Sequence, residues 1–514
     1  EQSARKLVYR VSNTIRKWGG EGKYFSSKEE ADTFEDELAY LLLSQKTAFN
    51  SPVWFNLGLY HTYGIVEGGT AFYWGHETNT IKKSTDSYSR PQCSACFINS
   101  IEDTLFGDHD PDDHSIFTLV ETEARLFKYG SGNGTNFSDV RSIHERLSGG
   151  WTSSGLMPFL KVLDAGANYV KSGGKTRRAA KMVILDADHP EVKDLAYWKV
   201  DGERKARALA AFNYDSDMDG LYRDLFGQNS NNSIRPTDDF MKAVLEDKEI
   251  GLVEITTGEI REKIKARELF GFLAKAAYIS GDPGLQFHTT INNWHTCSNT
   301  APINASNPCS EYMFLDDSAC NLASLNLMKF RNLDGSFDIA GFVHSVNIMI
   351  SAQEIIVDGA GYPTHSIAQN SHDFRPLGLG YANLGAYLMS NGIPYNSEEG
   401  FAVAGAITAL MTGEAYKQSA KIASRVGSFP RFEENKEPFL KVMKQHGEYV
   451  NKIPKINSII NLEEIIREDR QVWGDVYNLV KEHGARNSQT TVLAPTGTIG
   501  FMMDCDTTGV EPDI

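Results

Sequence analysis

The chain has 514 residues, with 51 Lys and Arg against 67 Asp and Glu and a formal net charge of −16. That balance excludes a general binder of nucleic-acid backbones and leaves room only for local basic patches. With 41% hydrophobic and 23% charged residues, the composition is globular, enough for two or three domains or one α/β barrel with helical additions. The sequence lacks an apolar run of the roughly 18 residues a membrane span needs. Its first residues, EQSARKLVYR, are charged where a signal peptide needs an apolar core, so the reading is cytoplasmic.

Residues 1 to about 60 read as helical. In ADTFEDELAYLLLSQKTAF (31–49), Phe34, Leu38, Leu41, Leu42 and Phe49 make an apolar stripe. The helix must stop at Asn50-Ser51-Pro52, because proline disfavours the helical region for the residue before it. Ser51 is then either a cap or a phosphate contact. RPQCSACFINSIED (90–103) carries a short strand centred on Cys96-Phe97-Ile98. Phe117, Val120, Ala124 and Phe127 predict a helix that ends in YGSGNGTNFSDVR. Gly130, Gly132 and Gly134 predict a turn there, which either brings backbone N–H groups to a ligand or only redirects the chain.

From Gly155 to Trp198 the pattern is helix, strand (AKMVIL, 180–185) and helix. The linking turn KSGGKTRRAAK, with five basic residues in eleven, is either an anion site or a solvated loop. QNSNNSIRPTDDFM (228–241) is polar and then begins a helix, 251–265 is a short β excursion, and ELFGFLAKAAYIS (268–280) is an amphipathic helix. DPGLQFH (282–288) turns and extends. Asp338 can cap a helix reaching about Gly359, RPLGLGYANL (375–384) is strand-like, and helices cover about 400–426 and 462–482. TTVLA predicts a strand, after which Pro495-Thr496-Gly497-Thr498 turns into a helix start and makes a natural phosphate cradle. Strands alternating with helices over 90–510 predict an α/β architecture with ligands at strand ends.

The six cysteines are Cys93, Cys96, Cys297, Cys309, Cys320 and Cys505, too few for a disulfide scaffold in a chain this long. Cys93-x-x-Cys96 has half the spacing of a zinc site with no second half following, so buried, zinc-binding and redox readings all stand. Asn307-Pro308-Cys309-Ser310-Glu311 sets an amide and a carboxylate two residues either side of one thiol. On extended backbone all three would share a face. Eleven residues later Cys320 opens the strand-like CNLASLNL.

Seven stretches in order, NSPVWFNLG, PQCSACFI, YGSGNGTNFSDVR, SGGKTRRAA, SNPCSE, DSACNLASLNL and LAPTGTIG, resemble ribonucleotide reductase. The wording of NSPVWFN, QCSACFIN and APTGTIG looks most like the adenosylcobalamin-dependent class II enzymes. The resemblance implies a ten-stranded α/β barrel of two parallel five-stranded halves with a central finger loop. A helical region (1–75) would precede the barrel (76–514), whose C-terminal end is expected to be missing. The family continues past this point with a last strand and, in most members, a tail bearing two cysteines.

By the same resemblance Cys309 is the radical cysteine at the finger tip, and Asn307 and Glu311 contact the substrate. Cys96 and Cys320 are the redox pair. Cys96 is chosen over Cys93 because the family cysteine immediately precedes Phe/Val-Leu/Ile. Ser51, Ser94 and the turn Pro495, Thr496, Gly497 and Thr498 would hold the substrate phosphates. Ala95 stands where many relatives have serine, so a contact there would come from the backbone. A thiyl radical on Cys309 would take the ribose 3′-hydrogen, Glu311 would accept the 3′-hydroxyl proton, and the dithiol would deliver two electrons. Adenosylcobalamin would generate the radical, and a thioredoxin-like or glutaredoxin-like protein would re-reduce the pair.

The basic turn with Lys175, Arg177 and Arg178 corresponds to the specificity loop. The 130–139 turn with Asp139, together with 148–156, corresponds to a deoxynucleotide effector site at a homodimer interface. Neither nucleic acid nor membrane is an expected partner. The rival readings are a class I-type large subunit fed by a partner protein, a non-catalytic nucleotide-binding chain, and a zinc protein on Cys93 and Cys96.

Overall fold

The computed structural model describes residues 1–514 except 2, 70, 109–111, 171–178, 213–224, 226, 457–459 and 514. The chain divides into two units. One comprises Glu1–Ala95, His295–Ala301 and Ala319–Ile514; the other comprises Cys96–Trp294 and Pro302–Ser318.

The second unit is built on a five-stranded parallel sheet. Its strands, in spatial and chain order, are Cys96–Ile98, Gly132–Asn136, Ala180–Asp186, Ser230–Arg235 and Gly284–Leu285. Parallel neighbours need long crossovers, and here the helices Ile116–Lys128, Leu156–Tyr169, Val192–Ala210 and Ala266–Ser280 supply them. Alternation along each strand sorts the residues. Val183, Leu185 and Ile234 pack against Leu119, Leu160, Leu163, Leu195, Leu269 and Leu273 on the helix side. Each such side chain contributes roughly 1.5–3 kcal/mol on burial.

The opposite face carries Cys96, Gly132, Gly134, Asn136, Asn231 and Arg235. SNNSIR was not expected to be a strand, because its polarity hid it. It is Ser230–Arg235, and Asn231, Ser233 and Arg235 alternate onto this inner face. Likewise Gly132 and Gly134 lie within a strand rather than a turn, and only Gly130 (φ 92°) turns the chain. The expected β excursion is the hairpin Glu249–Val253 and Ile260–Lys265.

In the first unit the helices Ala4–Glu21 and Lys28–Leu43 come first. The second stops short of Asn50: Gln45 takes φ 59°, and Thr47–Phe49 becomes a strand antiparallel to Ser318–Asn326. A three-residue Thr-Ala-Phe strand is hidden at the end of a helical stripe. Both strand-like runs are strands, and Ser318–Asn326 also pairs in parallel with Leu377–Ala382, a pairing the sequence did not indicate. Residues 489–492 run beside Leu377–Ala382, with Leu377 N donating to Gln489 O and Leu379 N to Thr490 O, yet form only an isolated bridge at Thr491. The expected TTVLA strand is therefore only partly realised.

Asp338 caps Ile339–Gly359 by accepting from Gly341 N, as its position predicted. By length and composition alone that helix could cross a membrane, although polar residues interrupt its apolar ones. Its Phe342, Val346, Met349, Ile350, Ile355 and Ile356 are instead buried in the unit. Glu398–Val426, Phe432–Val450 and Leu462–His483 complete the helical layer.

Candidate active site

Ala305–Ser306 and Met313–Phe314 pair antiparallel and make a hairpin. Its tip is closed by Asn307 N donating to Tyr312 O (3.1 Å), Ser310 N donating to Asn307 O (3.1 Å) and Tyr312 N donating to the Asn307 side-chain Oδ1 (3.0 Å). Ser310 sits at φ 63°, a conformation that costs a non-glycine residue roughly 1–3 kcal/mol. The segment is thus a turn, and the extended geometry expected to align Asn307, Cys309 and Glu311 does not occur. The turn gathers two of the three by another route. Asn307 Nδ2 donates to Cys96 Sγ at 2.9 Å, and the Cys96 thiol donates to Glu311 Oε1 at 3.5 Å. Cys309 stands exposed at the tip, while Cys96 is buried.

The sheet makes room for this hairpin. Gly132, Gly134 and Asn136 oppose Pro308, Ser306 and Asn304 in turn. A Cβ at Gly132 would lie 2.7 Å from Pro308 Cγ, and one at Gly134 would overlap the Ser306 carbonyl. Asn136 Nδ2 donates to Asn304 O at 3.1 Å. The Gly-x-Gly pattern therefore marks close backbone approach. Gly134→Ala should force the hairpin off the sheet. A cost of roughly 1–3 kcal/mol is expected for such overpacking, read by denaturant unfolding together with faster amide exchange at residues 306–312.

The hairpin base is electrostatically loaded. Burial, with Asp317 adjacent, raises the Asp316 carboxyl to about 7, while Asn304 donates to it. Burial also lowers the Arg235 guanidinium to about 10 and raises Asp186. Asp317 accepts from Ser100 N (3.1 Å) and Ser100 Oγ (2.7 Å), fixing the returning strand. Asp139 is exposed beyond the Gly132–Asn136 strand, and its charge helps raise Asp186 and Asp316. Lys175, Arg177 and Arg178 lie outside the described residues.

In the other unit Asn50 is the organising residue, and sequence reading missed it. Its Nδ2 donates to Cys93 O (2.8 Å) and its Oδ1 accepts from Leu322 N (2.7 Å). It thereby ties the start of the helix Ser51–Asn56 to the Cys93–Ala95 segment and to the strand that carries Cys320. Asn50, not Ser51, occupies the cap position of that helix; Ser51 is its first residue and is 3% exposed. Ser94 and Ala95 are buried as well. Cys320 is fully buried, and a Cβ at Gly378 would come within 2.8 Å of its sulfur.

Thr496 (φ 55°) precedes the short helix Gly497–Met502, and its hydroxyl accepts from Gly509 N at 2.7 Å. Pro495, Gly497 and Thr498 are exposed. Cys93 is buried, its thiol donates to Pro91 O, and burial pushes its pKa up. Among the described residues no group of three His, Cys, Asp or Glu is placed to hold a metal ion.

The parallel sheet thus carries a buried thiol bonded to an amide and a carboxylate of a hairpin whose tip exposes a second thiol. A family model described as the ribonucleotide reductase barrel domain matches residues 94–514, and one described as class II vitamin B12-dependent ribonucleotide reductase matches residues 1–45. The chain belongs to the ribonucleotide reductase family.

Curated relatives named vitamin B12-dependent ribonucleotide reductase match all of this chain. That of Rhodopirellula baltica is 48% identical over 517 residues, with 49% of its own length covered. That of Agrobacterium fabrum is 43% identical over 596 residues, with 46% covered. That of Streptomyces coelicolor is 45% identical over 519 residues, with 50% covered. The chain thus spans about half the length of these relatives.

Proposed function

We propose that this chain is the catalytic part of an adenosylcobalamin-dependent ribonucleotide reductase, converting ribonucleoside di- or triphosphates to 2′-deoxyribonucleotides. The observation that carries this reading is the bonded set Asn307–Cys96–Glu311, built on the same hairpin turn that exposes the Cys309 thiol. When bound, adenosylcobalamin supplies the homolysis that generates the radical. Cys309 suits that encounter, because its thiol is exposed on a rigid turn where a bulky group can reach it.

As a thiyl, Cys309 removes the ribose 3′-hydrogen. Glu311 then takes the 3′-hydroxyl proton as general base. Asn307 bonds ribose oxygens without competing for that proton. Replacing the 2′-hydroxyl by hydrogen, with water as the leaving group, consumes two protons and two electrons. Cys96 and Cys320 provide them and end as a disulfide, while Cys309 returns the hydrogen to C3′. Ser51, Ser94, the backbone at Ala95 and the turn Pro495–Gly497 with Thr498 take the phosphates. A thioredoxin-like or glutaredoxin-like protein restores the dithiol.

We place the enzyme in the cytoplasm as a homodimer regulated by a deoxynucleotide near Asp139 and the Lys175, Arg177 and Arg178 loop. The exposed Phe117 on the helix Ile116–Lys128, and Val162 and Tyr169 on Leu156–Tyr169, support a protein contact on that face. The ten-stranded closure of the barrel and its 76–514 extent belong to the same proposal. The test is deoxynucleotide formation by the complete protein with and without adenosylcobalamin. Strict dependence on the cobalamin is expected. Activity that ignores it and requires a second, radical-donating protein would overturn the reading in favour of a class I-type subunit.

A further inference from the structure

Cys309 is flanked by Pro308 and Ser310, and the sheet grips both neighbours. Asn231, on the inner face of Ser230–Arg235, donates from Nδ2 to the Pro308 carbonyl at 2.9 Å. Gln286, following the strand Gly284–Leu285, donates from Nε2 to Ser310 Oγ at 3.1 Å and to Ser306 Oγ at 2.8 Å. The orientation of that amide is not arbitrary. Arg235 NH1 donates to Gln286 Oε1 at 3.3 Å, so the oxygen faces the guanidinium and the nitrogen must face the hairpin. Arg235 is itself pinned, with Nε on His288 Nδ1 (2.9 Å) and NH2 on the Ile303 carbonyl. Gln286 and Arg235 are each 2% exposed, so their bonds lie away from water, whereas Asn231 is exposed.

Resting on the reductase reading, we propose that Asn231 and Gln286 are positioning residues that clamp the two sides of Cys309, with Arg235 setting the Gln286 amide. The clamp also holds Ser310 in its left-handed conformation, so the tip keeps one geometry through the cycle. Hydrogen transfer falls steeply with misplacement, and about 1 Å can cost roughly a hundredfold in rate. The backbone of both strands is held by the sheet in any case, so losing the amides should move the tip and not the fold.

The test uses Gln286→Met and Asn231→Leu, near-isosteric and without donors, and their double variant, in the complete protein. Two readouts are needed. Amide hydrogen exchange should rise at least tenfold at Ser310 and Tyr312 while the sheet residues 182–185 keep wild-type protection. With nucleotide and adenosylcobalamin, kcat should fall roughly ten- to a hundredfold at unchanged KM. Unchanged exchange at the tip in the double variant overturns the clamp. Faster exchange with wild-type kcat overturns its role in positioning Cys309. A wild type with no reductase activity overturns the reductase reading on which that role depends, and exchange alone then decides whether the clamp exists.

Discussion

Cys309→Ser is expected to abolish deoxynucleotide formation, a loss of at least about ten thousandfold, while nucleotide binding and thermal stability stay within error of the wild type. The argument is chemical first. A serine hydroxyl has the size of the thiol, but its O–H bond is too strong for a radical relay to use, so the 3′-hydrogen is never taken. The structure makes the variant clean. Cys309 is exposed at the hairpin tip, and the bonds that shape the tip run through Asn307, Ser310 and Tyr312. No core packing is lost. Single-turnover product analysis and calorimetry would check the two halves of the prediction. Cys96→Ser should behave differently. Cys96 accepts from Asn307 and donates to Glu311, and serine can make both bonds but cannot be oxidised to a disulfide.

The second large effect is structural. Arg375→Met should destabilise the first unit by about 3–5 kcal/mol, the range for stripping one partner from a buried ionic network. Arg375 is fully buried, and its guanidinium bonds Glu354 (Nε, 2.7 Å) and Asp358 (NH2, 2.7 Å). Tyr24 donates to the same two carboxylates at 2.8 and 2.7 Å, while Arg486 (2.7 Å) and Asn487 (2.6 Å) complete the shell of Glu354. Methionine would leave two buried carboxylates with too little positive charge.

The pH dependence has a definite sign. Burial alone would raise the Asp358 carboxyl, but the Arg375 charge, with His76, Arg486 and Tyr24, overcomes it and holds the group far below 3.8. A depressed pKa gives stability that is fully present above the unfolded value and is lost as pH falls toward the folded one. The gap between wild type and variant should therefore be full at pH 7 and narrow below about pH 4. Urea unfolding at the two pH values measures it.

These two sites differ in how readable they were. The largely apolar run AKMVIL, the short Cys96-Phe97-Ile98 run and the CNLASLNL alternation each declared a strand, and each is one. Asp338 declared its helix through a cap. Where a residue type has two physical meanings, local reading failed. Gly132 and Gly134 were taken for a turn, but they clear space for a backbone more than 170 residues downstream. SNNSIR reads only as a polar run ahead of a helix, but it is a strand whose inner face bonds the hairpin. Phe432–Val450 went unseen because Pro438 lies inside it.

The chemistry of the site was legible only through the family resemblance. The Asn307–Cys96 bond joins residues 211 positions apart, and no spacing rule reaches that far. Gln286 and Asn231 carried no signal beyond being polar residues beside or within a strand, and Asn50 was hidden behind the more conspicuous Ser51-Pro52.

The most direct measurement of the central claim uses a nucleotide carrying deuterium at C3′, reduced by the complete protein with adenosylcobalamin. The account predicts a primary isotope effect on kcat/KM, retention of the deuterium at C3′ of the product, and loss of both with Cys309→Ser. Full turnover with no isotope effect, in the wild type and in Cys309→Ser alike, would contradict it.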